Sequence, residues 1–148
     1  MADKKRGHVA RDNARNTPRI GASATRPVDD QGTNHLYPSF RFSHTDRNNY
    51  CLHNLTTTEI EELVGVLGRM EQMTWLQVLQ SGGHGRSSGG LGYNAVDRED
   101  LRARVPDHVP TDVRLCKFRV GLSMHVYGYR AGSIFYLLWF DGGDGHNI

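Results

Sequence analysis

Between Val113 and Phe140 the chain carries three consecutive runs that read as β-strands, and no other feature limits its fold as strongly. In Val113 to Val120, Lys117 and Arg119 fall on one side, and Cys116, Phe118 and Val120 on the other. In Ser123 to Arg130, His125, Tyr127 and Tyr129 share one side, opposite Met124, Val126 and Gly128. Ile134 to Phe140 is apolar throughout, as a strand covered on both faces would be. A tight Ala131-Gly132 turn is expected between the last two runs. The chain then leaves the sheet through Asp141-Gly142-Gly143-Asp144-Gly145-His146.

The preceding segments supply the other layer. Phe40-Arg41-Phe42-Ser43 and Tyr50-Cys51-Leu52-His53 have strand character, and the polar stretch 45–49 suits a hairpin loop, with Pro38 at a strand edge or entry. Thr58 and Glu61 have capping-box spacing, and Ile60, Leu63, Val64, Leu67 and Met70 form an apolar stripe. A second box, Thr74 to Gln77, starts a short helix through Leu79. Gly65 and Gly68 each lower helix propensity by up to about 1 kcal/mol relative to Ala, which suggests close packing at that face. Asp97 to Arg104 reads as one short capped helix ended by Pro106. Two strands, helices, then three strands give an α+β domain with helices packed on one face of an antiparallel sheet.

Charge divides the chain differently. Residues 1–27 carry seven Lys or Arg against two Asp, a net of +5, whereas residues 28–148 sum to −3. Residues 1–35 therefore read as a disordered basic tail, suited to holding nucleic acid or an acidic partner, or to neither, with one domain over 36–148. Cys51 and Cys116 have no metal-ligand spacing and suggest no disulfide scaffold. No segment approaches the roughly 20 apolar residues needed to span a bilayer. A cytoplasmic protein that uses no metal or other cofactor and no membrane is the expectation. The loop SGGHGRSSGG, residues 81–90, lacks a Gly-Lys-Ser/Thr ending and follows a helix, so neither phosphate-loop pattern fits, and it reads as a linker or lid.

Chemistry concentrates on the strands. Arg119 and His125 should meet across the Gly121-Leu122 connection, where a guanidinium could stabilise a phosphorane while an imidazole moves a proton. Lys117 adds a second cation for phosphate. Tyr127 and Tyr129 could form a stacking platform for bases, and Arg130 a further substrate contact. His146, oriented by Asp141, is the candidate second acid or base. The same residues would also suit the solvated face of an ordinary meander, the tyrosines would serve as plain strand formers, and the tail as a flexible terminus.

The stretch HVYGYRAGSIFYLLWFDGGDGH, residues 125–146, runs strand, Gly turn, apolar strand, terminal His, after a helical pair. In this it resembles the RelE/HigB-type toxin superfamily, small bacterial ribonucleases of type II toxin–antitoxin pairs, over about residues 50–148. The resemblance implies a RelE-like fold, RNA or the ribosome as target, and a protein antitoxin as partner. Where that family's penultimate strand carries a phosphate-contacting Arg, this chain has His125, with Arg119 or Arg130 as substitutes. His146 takes the place of the C-terminal His, and the common terminal Tyr is absent. The acidic body differs from the basic domains of ribosome-dependent members, so basic contacts would come from the tail, Arg86, or Arg98, Arg102 and Arg104. A metal-independent RNA-cleaving or RNA-binding protein is thus one expectation. A small non-catalytic interaction protein is the other.

Overall fold

The computed structural model describes residues 30–81, 90–143 and 147–148. The basic segment 1–29, residues 82–89 with Arg86, and Asp144, Gly145 and His146 lie outside the described residues. Strands β1 (Ser39–Arg41), β2 (Asn94–Ala95), β3 (Leu115–Val120), β4 (Met124–Ala131) and β5 (Ile134–Asp141) form one sheet in the order β1-β5-β4-β3-β2. β3, β4 and β5 make the expected meander. Its second turn is Gly132-Ser133, one residue later than Ala131-Gly132, because Ala131 still pairs with Ile134. Gly132 sits at φ 64°, where a side chain would be strained.

The sheet is mixed, which corrects the antiparallel expectation. β1 runs parallel to β5, placing Phe40 beside Phe135. Both helices lie between β1 and the meander, so the connection is a long crossover, the kind that parallel neighbours require. Tyr50–His53 does not return as a hairpin partner. Tyr50 adopts φ 49°, and Leu52–Asn54 forms one turn of 3-10 helix. Residues 45–50 instead run along β5 beyond the short β1. Leu137 O accepts from Thr45 Oγ1 (2.8 Å), Leu138 O from Asp46 N (3.0 Å), and Tyr50 O from Phe140 N (2.9 Å). These bonds cover an edge that would otherwise present unpaired backbone.

Helix α1 spans Thr57–Glu71 and α2 spans Trp75–Gln80. The first capping box is Thr56 with Glu59, two residues before the expected Thr58 and Glu61; the second is Thr74 with Gln77, as expected. In α1 Leu63 and Met70 are buried and Val66 and Leu67 half-buried, while Ile60 and Val64 face outward, so the apolar stripe is centred away from the expected Ile60 and Val64. Gly65 and Gly68 have nothing within 4 Å of where a Cβ would sit, so no close packing explains them. Asp97 to Arg104 makes only a 3-10 turn at Arg98–Asp100.

Two hydrophobic clusters sandwich the sheet. Under the helices lie Phe118, Val120, Met124, Val126, Phe135, Leu137 and Phe140 with Leu63, Met70, Trp75 and Val78. On the other face Leu115, Tyr127, Tyr129, Leu138 and Trp139 are covered by Val109, Ile148 and half-buried residues from the connection between β2 and β3. Helices therefore cover one face, as expected, and irregular chain covers much of the other. A bulge joins the two packings: Tyr127 pairs with Trp139 but Gly128 with Leu137, leaving Leu138 as the extra residue. A Cβ on Gly128 would lie 2.0 Å from Tyr136 O, so only glycine fits that site.

Candidate functional site at the end of the sheet

Arg119 and His125 are directly opposed across β3 and β4, and His125 is opposed to Asp141 across β4 and β5. Opposed residues in antiparallel strands point to the same face, so a cation, an imidazole and a carboxylate form a row across three strands. The Arg119 N–H points away from β4, donating to Leu91 O at 2.7 Å. Arg119 and His125 are therefore a non-hydrogen-bonded pair, the kind with Cα atoms about 4.5 Å apart and the closest side-chain approach. The Arg119 guanidinium also donates to Gly90 O at 3.1 Å, which anchors it at the sheet edge. Lys117 stands two residues before it on the same face, its Nζ 5.9 Å from the centre of the Tyr127 ring. Lys117, Arg119 and His125 are half-buried, accessible yet restrained.

The other candidate residues lie elsewhere. Tyr127 and Tyr129 share the His125 face but are only 5% and 3% exposed, so they form no open platform. Tyr129 stacks on Tyr136 with ring centres 4.8 Å apart, and its hydroxyl hydrogen-bonds His44 Nδ1. Burial, with the neighbouring Tyr136, pushes the Tyr129 hydroxyl up to about 12. Burial, then the Asp141 charge, also raises Tyr127. Arg130 points to the helical face, where its guanidinium lies 4.2 Å above the Trp75 ring and donates to Gly132 O and Thr33 Oγ1. Strand alternation places it away from Arg119 and His125. Asp141 is 1% exposed and accepts both the backbone N–H (3.0 Å) and the side-chain amide (2.9 Å) of Asn147. Among the described residues it thus orients Asn147; its expected partner His146 lies outside them.

Beyond Asp141 the row opens into a cleft of about 550 Å³, lined by Asn48, Tyr50, Asn54, Glu59, Asp141 and Asn147 among others. Glu59 accepts from Gly143 N (2.8 Å) and Thr56 N (2.9 Å), and these bonds, Gly143 first, hold its carboxyl below the ordinary range. Asn49 is tied to Asp46, whose carboxylate also receives Asn48 N and Trp139 Nε1. Burial acts to raise the Asp46 carboxyl, but the hydrogen bonds from Trp139, Asn48 and Asn49 outweigh it and hold it below its ordinary 3.8. This cleft escapes sequence reading because its walls come from the 48–59 segment and the end of β5. The one local signal is the run Asp46-Arg47-Asn48-Asn49, whose composition by itself specifies no more than a loop.

Among the described residues, no group of three or more His, Cys, Asp or Glu side chains is arranged to hold a metal ion. Also among them, no helix is long and apolar enough to cross a membrane. No protein-family model matches this chain, and no curated protein and no solved structure matches it.

Proposed function

We propose that this chain is a metal-independent RNA-cleaving or RNA-binding protein with a RelE-like arrangement, acting at the Arg119–His125 pair. One observation carries the reading: a restrained guanidinium and an imidazole form the closest kind of cross-strand pair, with Lys117 beside them on the same face. Phosphodiester cleavage by an internal nucleophile needs these groups. The imidazole of His125 takes the proton of a ribose 2′-hydroxyl, whose oxygen attacks phosphorus. Arg119 and Lys117 offset the charge that builds on the phosphoryl oxygens. The 5′-oxygen leaves with a proton from a second group, for which His146 is the sequence candidate, and a cyclic phosphate remains. The order of strand, helical pair and meander supports the RelE-like reading, as does the β4, Gly turn, β5 succession. In that reading RNA or the ribosome is the target, and a protein antitoxin would hold the activity in check.

The test is induced expression in a bacterial host of wild type beside an Arg119→Ala/His125→Ala/His146→Ala variant. Growth arrest with new RNA 5′ ends, lost in a variant that remains folded, is the expected outcome. A folded wild type that neither slows growth nor cuts RNA would reject catalysis.

A second reading, a non-catalytic interaction protein, is favoured by the apolar side chains left outward. Val64 is 65% exposed on α1 and Leu122 is 80% exposed at the β3–β4 turn. Val64→Glu and Leu122→Glu variants that stay folded but lose a protein captured by the wild type would assign that surface to partner binding.

A further inference from the structure

The cleft beyond Asp141 has the chemistry of a recognition pocket. Its order in the sheet matters first. Reading across the strands, Arg119 lies on β3, His125 on β4, Asp141 on β5, and the 45–50 segment covers the outer side of β5. A chain whose phosphate rests at Arg119 and whose ribose faces His125 therefore meets this cleft next. Among the described residues the cleft is lined by no lysine or arginine, and the carboxylates of Glu59 and Asp141 disfavour another phosphate. Four of its lining side chains, Asn48, Asn49, Asn54 and Asn147, are carboxamides, which offer paired donors and acceptors without net charge.

Those carboxamides differ in employment. Asn147 is spent on Asp141, and Asn49 on Asp46. Asn48 and Asn54 have exposed side chains that make no hydrogen bond among the described residues, although both line the cleft. Tyr50 stands between them at φ 49°, its hydroxyl donating to Asn147 O (2.9 Å) and its ring edge-on to Trp139. The half-buried tyrosine ring is thus fixed in place, while the amides beside it are unengaged. An aromatic wall with neighbouring amides is what a neutral, flat, polar-edged ligand needs.

We infer that this cleft is a nucleobase subsite, in which Asn48 and Asn54 hydrogen-bond the edge of one unpaired base and Tyr50 supplies its stacking surface. Glu59 biases the choice. Its oxygens can accept but not donate while ionised, and its bonds to Gly143 and Thr56 keep it ionised. Bases with an exocyclic amine, namely adenine, cytosine and guanine, are thus preferred over uracil. The inference deepens the RNA-directed reading proposed above by naming what selects the substrate, but its test does not require cleavage.

Adenosine, cytidine, guanosine and uridine are titrated separately into the full chain, and backbone amide chemical shifts are followed by NMR. A nucleoside carries no phosphate, so Arg119 is not needed. Shifts centred on Asn48, Tyr50, Asn54 and Gly143, with uridine weakest, are the expected result. Affinity should fall about tenfold or more in Asn48→Ala/Asn54→Ala and stay unchanged in Arg119→Ala. Neither amide side chain makes a hydrogen bond among the described residues, so the double variant is expected to keep the fold, which its amide spectrum reports. A short oligoribonucleotide then separates the two sources of a base. Tighter binding than any nucleoside, with the gain lost in Arg119→Ala, assigns the cleft to RNA; equal affinity assigns it to free nucleosides and overturns the RNA part of the inference. Shifts absent from the cleft, or unaffected by the double variant, overturn the inference itself. Nucleoside binding without any RNA cleavage would reject catalysis and leave the subsite standing.

Discussion

One face of the sheet holds two different regions built on the same alternation. Toward the bulge, Tyr127, Tyr129, Leu138 and Trp139 are sealed beneath Val109, Ile148 and the connection between β2 and β3. One or two residue pairs away, at the β3–β4 turn, Arg119 and His125 remain accessible. Strand geometry is common to both, and the cover is not. The sealed half is tied by long-range bonds, with His44 joined to Tyr129, His108 Nε2 to His44 O, and Asp46 to Trp139. The polar atoms of Tyr129, Asp46 and Trp139 in this half are paired, which is what makes their burial tolerable. The open half keeps its charged groups where water and a ligand reach them. A polar side chain on this sheet is thus structural or available according to which loop lies over it.

That contrast gives a graded series in thermodynamic stability. Gly128→Ala should be the most damaging, costing upwards of about 3 kcal/mol, because a Cβ there would strike Tyr136 O and the Phe135 ring at the bulge shared by both regions. Chemical denaturation measures it, and a loss below about 1 kcal/mol would mean that the bulge yields easily. Asp46→Ala should cost about 2–3 kcal/mol, since it leaves Trp139 Nε1 and two backbone N–H groups of the sealed half unpaired.

The same residue sets a pH dependence. With its folded pKa below the ordinary 3.8, the Asp46 contribution is complete above that value and is lost as pH falls through the lower, folded one. Thermal melts from pH 7 to pH 2 should fall more steeply at the acid end for wild type than for Asp46→Asn. Equal slopes would remove Asp46 from the account. Tyr129→Phe should cost about 1 kcal/mol through the lost bond to His44, read from the shift in denaturation midpoint.

The open half should show the reverse pattern. Lys117→Ala/Arg119→Ala should lower stability by no more than about 1 kcal/mol. It should nevertheless weaken RNA binding and reduce the slope of log affinity against log salt by about 2. RNA titrations at several salt concentrations decide this. An unchanged slope would sever the open half from phosphate recognition.

The particulars show how far local sequence reaches. Lys117 and Arg119 are correctly opposed to Phe118 and Val120, and the Arg119–His125 pairing was legible, because alternation and a short turn fix both. The Thr74 box lies where its spacing predicts, whereas the first box starts at Thr56 rather than Thr58, since three successive threonines, Thr56, Thr57 and Thr58, offer equivalent hydroxyls. Tyr127 and Tyr129 take the face that alternation predicts but are buried there rather than exposed. The chain that seals them comes from residues 44–50 and 96–113, and no periodicity within β4 registers that cover.

The amino-acid sequence by itself determined the meander, the helical pair and the faces that strand side chains take, because these follow from dihedral preference and the period of the backbone. Tertiary structure alone decided that β1 would run parallel to β5, that Arg130 would stack on Trp75, and that 45–50 would wall a cleft beside Asp141. Each of these joins segments more than 50 residues apart, and burial is a property of what packs over a side chain rather than of the side chain's own neighbours in sequence.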